Sequence, residues 1–291
     1  MTQTKDKVTC MLCESPMQIK SGWGFCYKCG LSKRVGEQPQ SKLGIYTMDW
    51  VLNHRRLSYQ REYARAKYLS KYLSPKERTL DVGCASGNLV DILYKMGFNA
   101  EGVDSSEIAI NLAQELSQGK FYVDDDLLGF IQPKYGLITA NHILEHLSNP
   151  NRIIYGVKRL LDGYFYISVP NLDMYSKYSI WRSVNNGTLF ANDHEYCYSP
   201  KSLSMLLTRN GFKIVDMFTK TYSPIIQQQT VMTLYHLING DIDNPIPSGE
   251  LARAISISLT DNPIINTLMN PFNRLSELGN RGEELCVLCH T

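Results

Sequence analysis

The segment TLDVGCASGNLV, from Thr79 to Val90, constrains the fold more than any other stretch of this 291-residue chain. A short apolar run ends in Gly83, small residues follow, and an amphipathic run begins at Asn88. That is the pattern of a strand, a tight turn and a helix. Gly83 can take backbone angles closed to other residues. The small side chains after it let a ligand approach the backbone, and Gly87 lets the helix start close to the strand. A helix N-terminus presents free N–H groups that suit a carboxylate. Asp104 lies seventeen positions after Gly87, at the end of the next apolar run, where a carboxylate can accept both hydroxyls of a ribose. The glycines are spaced G-x-x-x-G with Asp81 two positions before the first. Nicotinamide-binding folds carry G-x-G-x-x-G instead. With no pyrophosphate-cradling glycine between Gly83 and Gly87, the spacing points away from a dinucleotide and towards a nucleoside that carries an amino acid.

The rest of the chain supports an α/β reading. Apolar runs predict strands over 79–83, 98–104, 120–123, 135–140, 164–169, 212–219 and 283–289. Helical spacings fill 88–96, 107–116, 150–161 and 199–210, with Ser105 or Ser106 placed to cap the second of these. Such alternation predicts a mostly parallel sheet with helices on both faces. Residues 45–73 are also helical in pattern, with Trp50, Val51, Leu57, Tyr63, Ala66, Leu69 and Leu73 as the apolar positions and Pro75 as the stop. Residues 37–44 are polar and turn-rich and read as a linker. Residues 222–282 are too long for a plain connection and predict a helical insertion, a lid or a dimer contact. The expected organisation is therefore a small module over 1–36, a linker with N-terminal helices over 37–78, and a catalytic domain over 79–291 carrying the insertion.

Eight cysteines bear on the first module. Cys10-x2-Cys13 and Cys26-x2-Cys29, twelve residues apart, make two knuckles that can direct four thiolates at one ion, as in a structural zinc ribbon. Trp23, Phe25 and Tyr27 would supply the little packing such a module has, so the metal would supply much of its stability. The terminal Cys286-x-x-Cys289 lies in a predicted strand, on opposite faces, and is not expected to bind metal. The chain has no apolar run long enough to span a membrane. Its start, MTQTKDKVTC, lacks the apolar core of a secretory signal, so the expected compartment is the cytoplasm. Residues 1–80 hold 15 Lys/Arg and 6 Asp/Glu, a balance of +9 within a chain of net charge +2. That local excess suits phosphates of nucleic acid or of a nucleotide-linked small molecule, and it equally suits a solvated helix face.

LDVGCASGN followed by GVDSS resembles motifs I and II of the class I S-adenosylmethionine-dependent methyltransferases. ITANHILEHLSNP (138–150) and HEYCYSPKSLSMLLTRNGF (194–212) resemble blocks of a small-molecule subgroup, and LGNRGEELCVLC resembles its last strand. The likeness covers about residues 45–220 and the final dozen. It implies a Rossmann-like seven-stranded sheet of order 3-2-1-4-5-7-6. It also implies that Asp81, Gly83, Cys84, Ala85 and Gly87 surround the methionine part of the cofactor. Cys84 stands where Gly is commoner, and no catalytic thiol role is expected of it. Asp104 would hold the ribose with Ser105 beside it, Asp124 or Asp125 would meet the adenine, and Asn141 and His142 would face the sulfonium.

Methyl transfer from a sulfonium is an in-line displacement, so the protein aligns the nucleophile and removes its proton. His194 is the expected base, with His142 and Tyr198 as further catalytic candidates and His146 as a structural residue. Tyr196, Glu195 and Asp193 could orient the base or the acceptor. The expected acceptor is a sugar, nucleotide-sugar or secondary metabolite, methylated at oxygen and able to carry phosphate, in a monomer or homodimer. The alternative is an RNA or other nucleic-acid methyltransferase gripping its substrate with the ribbon and the basic helices. Against it, no Asn-Pro-Pro-Tyr-type segment follows the fourth strand and no Pro-Cys nucleophile is present.

Overall fold

A computed structural model describes residues 8–36, 47–130, 132–173, 193–221 and 282–291. The insertion predicted over 222–282 therefore lies outside the described residues, apart from its last position. The chain divides into two compact units. The first comprises Met1–Pro170, Asn192–Met217 and Cys286–Thr291; the second comprises Asn171–Ala191 and Phe218–Leu285.

Two sheets form. The N-terminal strands β1 (Gln18–Lys20), β2 (Trp23–Phe25) and β3 (Ser32–Arg34) pair antiparallel in sequence order. The large sheet contains β4 (Arg78–Val82), β5 (Asn99–Asp104), β6 (Lys120–Val123), β7 (Tyr135–Asn141), β8 (Leu161–Pro170), β10 (Lys213–Lys220) and β11 (Glu284–His290). Its order is β6-β5-β4-β7-β8-β11-β10, which is the order 3-2-1-4-5-7-6 implied by the resemblance. The pairs β4–β5, β4–β7, β5–β6 and β7–β8 are parallel.

Helices α1 (Met48–Leu69), α2 (Asn88–Lys95), α3 (Glu107–Leu116), α4 (Pro150–Leu160) and α5 (Pro200–Arg209) flank this sheet. Their ends follow local chemistry. Ser106 caps α3 by accepting the Ala109 N–H at 3.2 Å. Ser199 and Ser202 form a reciprocal capping box on α5, whose first residue is Pro200. Ala66 of α1, Leu89, Ile92 and Leu93 of α2, Ile110 and Ala113 of α3, and Ala100 and Phe121 of the sheet make one buried cluster.

The strand β9 (Tyr196–Cys197) is a feature the sequence spacing does not announce. It joins β3 antiparallel, with Ser32 opposite Cys197 and Lys33 opposite Tyr196, and so completes a four-stranded sheet. The HEYCYS block thus belongs to the sheet of the cysteine module.

The inward face of α1 also differs from the apolar stripe expected of it. Leu57 and Tyr63 are exposed, while Val51, Ser58, Glu62, Arg65, Ala66 and Leu69 are buried. Those positions still follow a helical period, but half of them are polar. Arg65 is fully buried against the Glu62 carboxylate, and its guanidinium lies 5.8 Å from the Tyr166 ring centroid. Its Nη2 also donates to Ser168 Oγ at 3.3 Å. Removing one partner of a buried ion pair leaves the other charge uncompensated, at a cost of about 3–5 kcal/mol. Arg65→Ala should therefore lower unfolding stability by about that much in urea titrations. The double variant Glu62→Gln, Arg65→Met should recover most of the loss.

Candidate functional site

The chain runs from β4 to β5 to β6 on one side of the sheet, then returns to place β7 on the other side of β4. The carboxyl ends of β4 and β7 therefore stand at a topological switch point, where open α/β sheets bind ligands. A cavity of about 490 Å³ opens there. Its walls carry Asp81, Gly83, Cys84 and Ala85 from the end of β4, and Asp104 and Ser105 from the end of β5. Asp124 and Asp125 come from the end of β6, and Asn141 and His142 from the end of β7. Ten of the cofactor-side residues named from the sequence are thus brought together. Gly87 is not on the wall: it sits at φ +77° as the N-cap of α2, with the Phe121 ring so close that a Cβ would meet it at 2.7 Å.

Three hydrogen-bonded groups shape the cavity floor. Asp104 accepts the Ala85 N–H through Oδ2 and the Ser106 N–H through Oδ1, both at 2.9 Å. Burial pushes the Asp104 carboxyl up, against those backbone bonds that favour the anion. Asp81 Oδ1 accepts from Thr139 Oγ1 at 2.6 Å and Asn141 Nδ2 at 3.2 Å. Asn141 Oδ1 in turn accepts from Ser168 Oγ at 3.1 Å, which continues the chain to Arg65. Full burial outweighs these bonds and pushes Asp81 up to about 7. The Cys84 thiol is pushed up by burial and by the Asp81 and Asp104 carboxylates, so it stays protonated. It packs on Gly102, where a Cβ would meet its sulfur at 2.7 Å, and it is no nucleophile.

Three non-glycine residues on the wall take left-handed backbone angles, Ala85 at φ +45°, Leu127 at φ +63° and His142 at φ +54°. Such conformations cost energy and persist where the surroundings impose them. For His142 the constraint is visible: its N–H donates to Ser168 O at 2.9 Å, and its Nδ1 lies 3.1 Å from Glu145 Oε1. Glu145 is buried, yet the histidine neighbours, led by His142, hold its carboxyl below the usual range.

His146 also reaches the cavity, with its Nδ1 3.3 Å from Asp193 Oδ2 and 3.2 Å from Asp193 O. The His194 ring packs edge-on against it, centroids 4.7 Å apart. His194 itself is only 6% exposed and is not on the cavity wall. Tyr198 is buried as well, its hydroxyl 3.4 Å from Leu144 O, which it donates to. The structure thus stacks His194 behind His146 and leaves Tyr198 in the core.

The four N-terminal cysteines converge. Their sulfurs lie within 4.8 Å of one another, with Cys10–Cys29 at 3.4 Å and Cys13–Cys26 at 3.3 Å. None is in a disulfide. Burial opposes ionisation of Cys13, but hydrogen bonds from Ser15 and the Cys26 and Cys10 thiols bring it down to about 6. Cys286 and Cys289 lie fully buried within β11.

Residues 52–217 match the family model described as a methyltransferase domain. The chain belongs to this methyltransferase family. It is 27% identical over 176 residues to a ubiquinone biosynthesis O-methyltransferase of Coxiella burnetii, covering 55% of this chain and 74% of that one. A solved S-adenosylmethionine-dependent methyltransferase from Archaeoglobus fulgidus shares the fold at 19% identity and a TM-score of 0.51, covering 83% and 99% of the two chains. So does phosphoethanolamine N-methyltransferase 2 of Haemonchus contortus, bound to S-adenosyl-L-methionine, at 12% identity and a TM-score of 0.55, covering 85% and 58%. The protein is an S-adenosylmethionine-dependent methyltransferase of class I fold.

The methyltransferase cavity has a further wall, from α1, that the sequence pattern did not reveal. His54, Ser58, Arg61 and Glu62 of α1 all line it. Their spacing, i, i+4, i+7 and i+8, is one helix face, and it is the polar face that an apolar count passes over. Burial, then the charge of Arg61, press His54 down to about 4 and keep it neutral. Asn88 ties α1 to the glycine turn, donating to Arg55 O at 2.6 Å and Ser58 Oγ at 2.9 Å. Gly83 is closed to a side chain on two counts. It has φ +72°, and a Cβ there would stand 2.0 Å from Ile143 Cδ1. Gly83→Ala should weaken S-adenosylhomocysteine binding at least tenfold by calorimetry, equivalent to about 1.4 kcal/mol. An unchanged affinity would show that the turn can relax without disturbing the site.

Proposed function

We propose that this methyltransferase transfers a methyl group to an oxygen of a small-molecule acceptor, with His146 and Asp193 as the proton-accepting pair. The observation that carries this reading is the make-up of the cavity wall. Asp81, Asp104, Asp124 and Asp125 come from the ends of β4, β5 and β6, while His142, His146 and Asp193 come from the turn after β7 and the segment before β9. In this reading Asp81 faces the ammonium of the cofactor, Asp104 and Ser105 meet the ribose hydroxyls, and Asp124 or Asp125 meets the adenine. Bound there, S-adenosylmethionine supplies an electrophilic methyl group. The histidine end is then the acceptor side.

Asp193 beside Nδ1 of His146 sets the tautomer that carries its hydrogen on Nδ1. Nε2 then serves as the base for an acceptor hydroxyl. His194 packs behind this ring and limits its rotation. Glu145 orients His142 in the same way, and its carboxylate also lies within 4.8 Å of His146 and His194. The name of the Coxiella relative, an O-methyltransferase, supports oxygen as the acceptor atom.

Three arginines of the basic N-terminal third are engaged within the protein, which favours a small acceptor over a nucleic acid. Arg55 donates to Ser86 O, Ser117 Oγ and Leu116 O. Arg65 is buried, and Arg78 bonds Glu101 and Pro133 O. We also assign zinc to the four N-terminal cysteines. Sulfurs about 2.3 Å from a tetrahedral ion stand somewhat under 4 Å apart, close to the spacing seen here.

Two outcomes are expected. A cation placed beside a carboxyl that titrates near 7 drives off its proton. S-adenosylhomocysteine should therefore release about half a proton at pH 7, seen as a buffer-dependent calorimetric enthalpy. The release should vanish in Asp81→Asn and fall away above pH 8, where the free carboxyl is already ionised. His146→Ala should lower kcat by about 10²–10⁴-fold on the true acceptor with S-adenosylmethionine affinity unchanged. Near-normal turnover in that variant would exclude His146 as the base.

A further inference from the structure

We propose that the metal-loaded cysteine module is the brace of the acceptor-side wall, and that Arg34 is the positioning residue that connects them. The connection can be followed bond by bond. The Arg34 side chain lies over the Trp23 ring, with its guanidinium carbon 4.6 Å from the centroid. Its Nε donates to His194 O at 2.8 Å, and its backbone N–H donates to Glu195 O at 2.9 Å. One residue of the module therefore holds two successive carbonyls of the segment that bears Asp193 and His194.

The next residues of that segment pair with β3 as β9. Beyond them, Ser199 Oγ donates to Cys29 O at 3.3 Å. The second cysteine knuckle sits so tightly on this cap that a Cβ on Gly30 would stand 2.3 Å from Ser199 Oγ. From the other side the same segment is held by Glu145 O, which accepts the Glu195 and Tyr196 N–H groups at 2.7 and 3.1 Å. The stretch that sets Asp193 against His146 is thus clamped between the module and the loop after β7.

The clamp is only as firm as its weaker jaw. Three-residue strands with a handful of buried apolar side chains do not hold themselves together in water. An ion on Cys10, Cys13, Cys26 and Cys29 would supply that stability. Without it, β3 and Arg34 lose their fixed position, and the Asp193–His194 segment keeps its contacts with Glu145 and His146 but loses the module's side of the clamp. The cofactor floor shares none of these contacts, because it is built from the ends of β4, β5 and β6. Metal loss should therefore disturb the histidine pair and spare cofactor binding.

The inference rests on the reading of that wall as the acceptor side, but the test reads geometry whether or not an acceptor meets it. The full chain carrying isotope-labelled histidine is followed by NMR, and ring signals are assigned with His146→Gln and His194→Gln. One sample is stripped of zinc by a chelator; another carries Arg34→Ala with its zinc content verified. Expected is a shift or broadening of the His146 and His194 ring signals in both samples, with S-adenosylhomocysteine affinity unchanged in both. Arg34→Lys, which keeps the charge but not the Nε geometry, should shift them too. Unmoved signals in either sample would overturn the proposal. So would loss of S-adenosylhomocysteine binding on zinc removal, which would make the module a support of the whole fold.

Discussion

The carboxylate of Asp104 accepts two backbone N–H groups, one from the glycine turn after β4 and one from the start of α3. Much of the site depends on that pair of bonds. They fix the height of the turn relative to β5, hold Ala85 in its left-handed conformation, and aim a buried acid into the cavity. Two oxygens carry more lone pairs than two bonds use, so the same carboxylate can still receive hydroxyl groups. In the proposed reading this carboxylate is both a structural staple and a ligand group, and exchange for an amide would cost one of the two. This explains why the strand order and the chemistry are inseparable here: the acid lies on one strand and the turn it secures lies on its neighbour.

The other side of the cavity is organised differently. There the groups come from α1, from the left-handed turn at His142, and from the Asp193–His194 segment, and they are oriented by side-chain partners. Glu145 serves twice, its carboxylate on His142 and its carbonyl on the N–H groups of Glu195 and Tyr196. The polar inward face of α1 follows from this position. A helix that covers a polar ligand cavity cannot be apolar there, and Arg65 and Glu62 neutralise one another in the layer beneath.

Much of this was legible in the sequence. The glycine turn, Asp104 and the strand alternation specify a sheet and the end of it that binds ligand, because those features depend on local backbone requirements and period. The four cysteines are legible for the same reason: two short knuckles leave few other uses. What was not legible depends on tertiary pairing. The two-residue β9 is too short to have a period of its own and exists only because β3 offers an edge. The burial of His194 behind His146 follows from that pairing, so a histidine expected in a loop over the cleft stands behind the wall instead. Ser58, Glu62 and Arg65 lie between the apolar positions of α1 and are buried all the same, because polarity is a poor guide to burial at the edge of a site.

The central claim is that the end of β4, Asp104 and the acidic residues after β6 form one seat for S-adenosylmethionine, with the histidines beyond it. A crystal structure with S-adenosylhomocysteine bound tests this most directly. The account predicts the ribose hydroxyls on Asp104, the ammonium beside Asp81, the adenine near Asp124 and Asp125, and the sulfur facing His142 and His146. A ligand seated away from Asp104, or with its sulfur turned from the histidines, would contradict it.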